Sequence, residues 1–136
     1  MKTLTVPAER NELDTVQGFV DEALDQVPCT PETRLQLQIA VEELFVNIAS
    51  YAYAPNRGEA VIGCHVEQEP PSVTIQFRDW GKPFDPLARE DADITLSAED
   101  RKIGGLGIYM VKKSMDAMFY EYKDKQNILQ IRKKIK

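Results

Sequence analysis

Glu43 and Asn47 stand four residues apart in a segment with helical periodicity, so they share one face of that helix. An Asn carbonyl oxygen suits a hard cation such as Mg²⁺, and a carboxylate one turn away can orient or deprotonate a nucleophile. The same spacing also makes an ordinary hydrogen-bonded pair on a helix surface. Asp79 ends an alternating apolar run and is followed by Trp80-Gly81-Lys82-Pro83-Phe84. An ionised carboxylate is a pure acceptor and can take the amino group of a base such as adenine, although a plain turn aspartate would look the same. Gly81 permits close backbone approach at that turn. Gly104-Gly105-Leu106-Gly107 leads directly into a helical pattern. Glycines at a helix start leave backbone N–H groups open to phosphate. The cluster is neither a Walker loop, since no Gly-Lys-Ser/Thr follows, nor a dinucleotide fingerprint after a strand. Singly, each of these features is weak.

The elements that must position them follow from the chain's periodicity. Thr3-Leu4-Thr5-Val6 alternates like a short strand ended by Pro7. Leu13, Val16, Val20, Ala23 and Leu24 recur at helical spacing and predict an amphipathic helix over 8–26. Thr30-Pro31-Glu32-Thr33 is a helix start, with Thr30 as the cap and Pro31 in the first turn; that helix is expected to run to about Ala54. On a wheel of about 100° per residue, Gln36, Asn47 and Ser50 fall within about 40° of Glu43. Most other directions are apolar (Leu35, Leu37, Ile39, Val41, Leu44, Phe45), which predicts a largely buried helix whose polar stripe faces something that satisfies it. Two alternating runs, Glu59 to Glu67 and Ser72 to Asp79, form a hairpin signature across Pro70-Pro71. The stretch from Trp80 to Ile103 is polar, acidic and without period; a loop of about 20 residues in a small domain is usually functional. A helix over 108–115 and strands over 119–122 and 128–135 complete the order. That order predicts an α/β two-layer sandwich, a mixed and mostly antiparallel sheet with helices on one face.

The chain has 136 residues, 43% hydrophobic and 29% charged, which fits one globular domain over 1–136. Its formal net charge of -5 argues against general nucleic-acid binding, which needs clustered Lys and Arg. The run Arg132-Lys133-Lys134 with Lys136 reads as a solvated strand end. Residues 1–7 lack the apolar core of a signal peptide, and no apolar run approaches the roughly 20 residues that span a bilayer. A cytoplasmic protein without membrane attachment is expected. Cys29 and Cys64 are far apart and imply no disulfide framework. His65, beside Cys64, is the only histidine, too few ligands for a zinc site of about four.

Taken together, the order and spacing of the three chemical elements resemble the GHKL ATPase superfamily (the Bergerat ATP-binding fold). The likeness is strongest to the anti-sigma-factor serine/threonine kinases of the RsbW and SpoIIAB type and covers nearly the whole chain. Ala40-Val41-Glu42-Glu43-Leu44-Phe45-Val46-Asn47 resembles the family's asparagine-bearing helix. Arg78-Asp79-Trp80-Gly81-Lys82-Pro83-Phe84-Asp85-Pro86 resembles its adenine turn, and Gly104-Gly105-Leu106-Gly107-Ile108 its glycine motif. The resemblance implies ATP and Mg²⁺ as cofactors, with Asn47 as the metal ligand and Glu43 as general base toward a serine or threonine hydroxyl. It implies Asp79 as the adenine acceptor, with Gly81 and Lys82 in the adenine turn. Gly104, Gly105, Leu106 and Gly107 would hold phosphates, and residues 86–103 would form the ATP lid. The implied partners are a STAS-domain anti-anti-sigma protein and a sigma factor, and family members tend to be homodimers.

This sequence departs from the family in its last hairpin. Where other members carry a Gly-Thr that helps hold adenine, it has Asp124-Lys125-Gln126-Asn127-Ile128-Leu129 and no threonine. Arg101 and Lys102 are the cations that the lid could bring to phosphates. Two further readings share the fold. One is a non-catalytic module that sequesters a sigma factor or another regulator, which the missing threonine favours. The other is a histidine-kinase catalytic domain acting in trans, which the absence of a phospho-accepting His helix disfavours.

Overall fold

A computed structural model describes residues 1–88 and 105–135. The strands are β1 (Lys2–Pro7), β2 (Glu59–Gln68), β3 (Pro71–Asp79), β4 (Ala117–Lys123) and β5 (Gln126–Lys134). The helices are α1 (Leu13–Leu24), α2 (Pro31–Asn47) and α3 (Gly105–Ser114). The strands form one sheet in the order β1-β2-β3-β5-β4. Every pairing in it is antiparallel, so the mixed component of the expectation is absent from the described sheet. Each neighbouring pair in sequence, β2–β3 and β4–β5, is a local hairpin, and such hairpins need no parallel crossover.

Strand alternation selects the covered face. Ala60, Ile62 and Cys64 of β2, Val73, Ile75 and Phe77 of β3, and Leu129 and Ile131 of β5 are buried. They meet Val16, Val20 and Leu24 of α1, Leu37, Val41, Leu44 and Phe45 of α2, and Ile108 and Val111 of α3 in one core. Burying these side chains contributes about 1.5–3 kcal/mol each for the larger ones, which is what holds the helices to the sheet. Cys64 belongs to this core, and burial pushes its thiol up to about 11.

Helix α2 begins as its sequence dictates. The Thr33 N–H donates to Thr30 Oγ1 at 3.1 Å, and Pro31 occupies the first turn. Its α-helical bonding ends at Asn47 and continues as one wider π turn over Ile48–Ala52. Helix α1 starts at Leu13, five residues after the start of the expected 8–26 span, following a short 3-10 turn at Arg10–Glu12. Arg34 of α2 clamps the two helices by donating to Asp21 and Asp25, each at 2.9 Å.

The expectation of an all-round buried α2 is corrected. Leu35 and Ile39 are 61% and 54% exposed. The helical layer is one helix deep, so α2 buries the face toward the sheet and leaves the opposite face uncovered. The β4–β5 turn places Asp124 and Lys125 at φ of 53° and 63°. Two consecutive left-handed residues make the tight two-residue hairpin whose twist suits antiparallel strands. That turn fixes the register Tyr122↔Asn127 and thereby the height of Asn127 on the sheet.

Candidate functional site

A cleft of about 740 Å³ opens between the end of α2, the ends of β3 and β5, and the turn after β3. Its size is that of a small-ligand pocket. Asn47, Asp79 and Lys82 all line it, with apolar walls from Leu44, Phe77, Ile108 and Leu129. Asn47 of the helix therefore meets Asp79 of the turn, 32 positions on, and Asn127 of the last hairpin, 80 positions on, at one place.

Asp79 is the last residue of β3 and only 5% exposed. Its Oδ1 accepts from the Gly81 N–H and from the Asn127 amide, each at 2.9 Å. Burial raises the carboxyl above its ordinary value, and those two donors oppose the rise. Gly81 is obligatory here. A Cβ at that position would stand 2.2 Å from the Ala52 carbonyl oxygen, so the turn lies directly on the π turn after α2. The Lys82 N–H donates to the same carbonyl at 2.9 Å. Tyr53 ties the same corner, donating to Glu59 O at 2.5 Å and accepting from the Trp80 N–H at 2.8 Å.

Asn127 is the residue that sequence reasoning missed. It is 6% exposed and packed beside Asp79. Its amide nitrogen also donates to Lys82 O at 2.8 Å, and its carbonyl oxygen accepts from the Phe84 N–H at 3.1 Å and from the Tyr120 hydroxyl. A signal existed. Positions 127, 129 and 131 share the inward face of β5, so a polar residue at 127 needs partners in the core.

At the other end, Glu43 and Asn47 keep their shared face. Asn47 lines the cleft, whereas Glu43 lies one turn back and outside its lining. The Glu43 carboxylate rests on α3: a Cβ at Gly107 would stand 2.1 Å from Glu43 Cδ and Oε1. Oε1 is buried and makes no hydrogen bond among the described residues. Burial raises the Glu43 carboxyl above its usual range, the neighbouring Asn47 amide lowers it in part, and Glu42 raises it further. An orphaned buried acceptor beside an Asn side chain fits a site completed by a donor or a cation from outside.

Gly105, Leu106 and Gly107 form the first turn of α3 rather than a loop before it. Gly104 and most of the expected lid, 89–103 with Arg101 and Lys102, lie outside the described residues. Residues 86–88 form a short 3-10 turn.

Fold and cleft together define a histidine kinase-like ATPase domain: a family model of that description matches residues 6–133, and the chain belongs to the family. It is similar to "Serine/threonine-protein kinase BtrW" of Bordetella bronchiseptica, 28% identical over 96 residues covering 71% of this chain and 67% of that protein. It is also similar to "Serine-protein kinase RsbW" of Halalkalibacterium halodurans, 26% identical over 117 residues covering 83% and 70% respectively. Among the described residues, no helix is long and apolar enough to cross a membrane.

Proposed function

We propose that this domain binds MgATP in the cleft and phosphorylates a serine or threonine of a STAS-domain anti-anti-sigma protein in the cytoplasm, so controlling the availability of a sigma factor. The observation that carries the reading is the Glu43 carboxylate, whose buried Oε1 has no hydrogen-bond partner among the described residues, one turn from the cleft-lining Asn47. Two relatives named as serine or serine/threonine kinases support it.

The roles follow from chemistry. Asp79 offers an acceptor to the base, and the apolar walls take its ring faces. Asn47 would hold Mg²⁺ through its side-chain oxygen, and the ion would supply charge neutralisation of the phosphates. Backbone N–H groups of the first turn of α3, with Gly105 and Gly107, present the positive end of that helix to phosphate. The acceptor hydroxyl oxygen attacks the terminal phosphorus, the bond to the ADP oxygen breaks, and Glu43 takes the hydroxyl proton. A carboxyl held above its usual range is a stronger base than an exposed one.

Transfer of radiolabelled terminal phosphate to a cognate STAS protein tests the proposal. Glu43→Ala is expected to lower the rate about 10²-fold or more while MgATP still binds. Unchanged transfer would remove Glu43 as the base, and calorimetry showing no binding at millimolar MgATP would overturn the nucleotide reading. The sequestering reading rests on the missing threonine; the last hairpin still reaches the base end, where Asn127 donates one hydrogen bond to Asp79.

A further inference from the structure

Asn127 uses its whole hydrogen-bonding capacity. Its amide N–H groups go to Asp79 Oδ1 and Lys82 O, and its oxygen receives the Phe84 N–H and the Tyr120 hydroxyl. The partners fix which way the amide points: reversed, its oxygen would face a carboxylate and a carbonyl, and its nitrogen would face two donors. Asp79 Oδ1 in turn receives two donors, from Gly81 and Asn127. No hydrogen bond from a described residue reaches Asp79 Oδ2, and Asp79 lines the cleft.

We infer that Asn127 is the specificity-determining positioning residue of the base end. By saturating Asp79 Oδ1 it leaves Oδ2 as the acceptor presented to the cleft. A base with an exocyclic amino group then pairs with Oδ2, and a base with a carbonyl there is repelled. Tyr120 acts one step further back by orienting the Asn127 oxygen. Through Lys82 and Phe84, Asn127 also holds the rim of the cleft beside Asp79, so base recognition and rim geometry share one side chain. This inference rests on the cleft being a nucleotide site.

The test is calorimetric titration of the wild type, Asn127→Asp and Tyr120→Phe with ATP and with purine riboside triphosphate, which differs from ATP by lacking the amino group. Asn127→Asp keeps the size and replaces the donor with an acceptor facing Asp79. The wild type is expected to prefer ATP about tenfold or more, the worth of a charged hydrogen bond. In Asn127→Asp the preference is expected to fall below about threefold, because ATP loses affinity and the analogue loses far less. Tyr120→Phe is expected to reduce the preference about two- to fivefold with its melting temperature nearly kept. A residue that merely stabilised the fold would weaken both nucleotides alike. An unchanged preference in folded Asn127→Asp overturns the inference. If that variant does not fold, Tyr120→Phe decides in the same way. A wild type that binds both nucleotides equally overturns the inference and leaves nucleotide binding standing. A wild type that binds neither overturns the nucleotide reading and this inference with it.

Discussion

The two ends of the cleft are built on opposite plans. At the Asp79 end, Asn127 has every donor and acceptor engaged, and the turn around Gly81 lies against backbone. At the Glu43 end, a buried carboxylate oxygen has no hydrogen-bond partner among the described residues, and a side chain added at the glycine beside it would first meet the tip of Glu43. A saturated network is rigid and costly to disturb. An unsatisfied acceptor is a cost that the free protein bears and that a bound hydroxyl can remove. Under the proposed function, the first end would serve preorganised recognition and the second chemistry completed by the substrate.

Two glycines give the sharpest way to break this contrast. In Gly81→Ala the new Cβ meets the Ala52 carbonyl, which is backbone at the end of the π turn after α2 and cannot turn aside. A loss of about 1–3 kcal/mol in stability is expected, with weakened nucleotide binding. In Gly107→Ala the Cβ meets the Glu43 carboxylate, which can swing away. Stability is expected to fall by less than about 1 kcal/mol, while phosphoryl transfer falls about tenfold or more because the base is misplaced. Thermal melts and transfer rates on both variants check this; equal losses of stability and rate in the two would dissolve the distinction.

A smaller effect concerns pH. The folded Glu43 carboxyl lies above its unfolded value, so the stability tied to its protonation is present below about pH 4.3 and is lost as pH rises through the folded value. Glu43→Gln removes the buried charge. Its melting temperature is expected to exceed that of the wild type by roughly 1–3 °C at pH 7.5, and the gap should close near pH 4. A gap that widens toward acid would show that Glu43 is stabilised as the anion. The smallest effect is expected outside both ends. Arg34→Ala removes the half-exposed clamp from α2 to Asp21 and Asp25 and should cost about 0.5–1 kcal/mol, with ATP affinity and transfer rate unchanged.

Much of this molecule was legible from local pattern. Thr30-Pro31 announced the start of α2, alternation located β2 and β3, and the glycines marked the start of α3. The order of Asn47, Asp79 and the glycine motif pointed to the family. The exposure of Leu35 and Ile39 was not legible, since periodicity shows an apolar face and not whether another layer covers it. Nor was the partnership of Glu43 with Gly107, which joins helices 64 residues apart.

Local repeats alone define the helix face that carries Glu43 and Asn47, the strand that ends at Asp79 and the inward face of β5. The tertiary structure alone decided that Asn127 would stand beside Asp79. Their meeting depends on the register of β3 against β5, which pairs Asp79 with Asn127 across 48 positions of chain. That register is set by the packing of the inward side chains of both strands under the helices, since no short turn joins β3 to β5. No single stretch of sequence contains it.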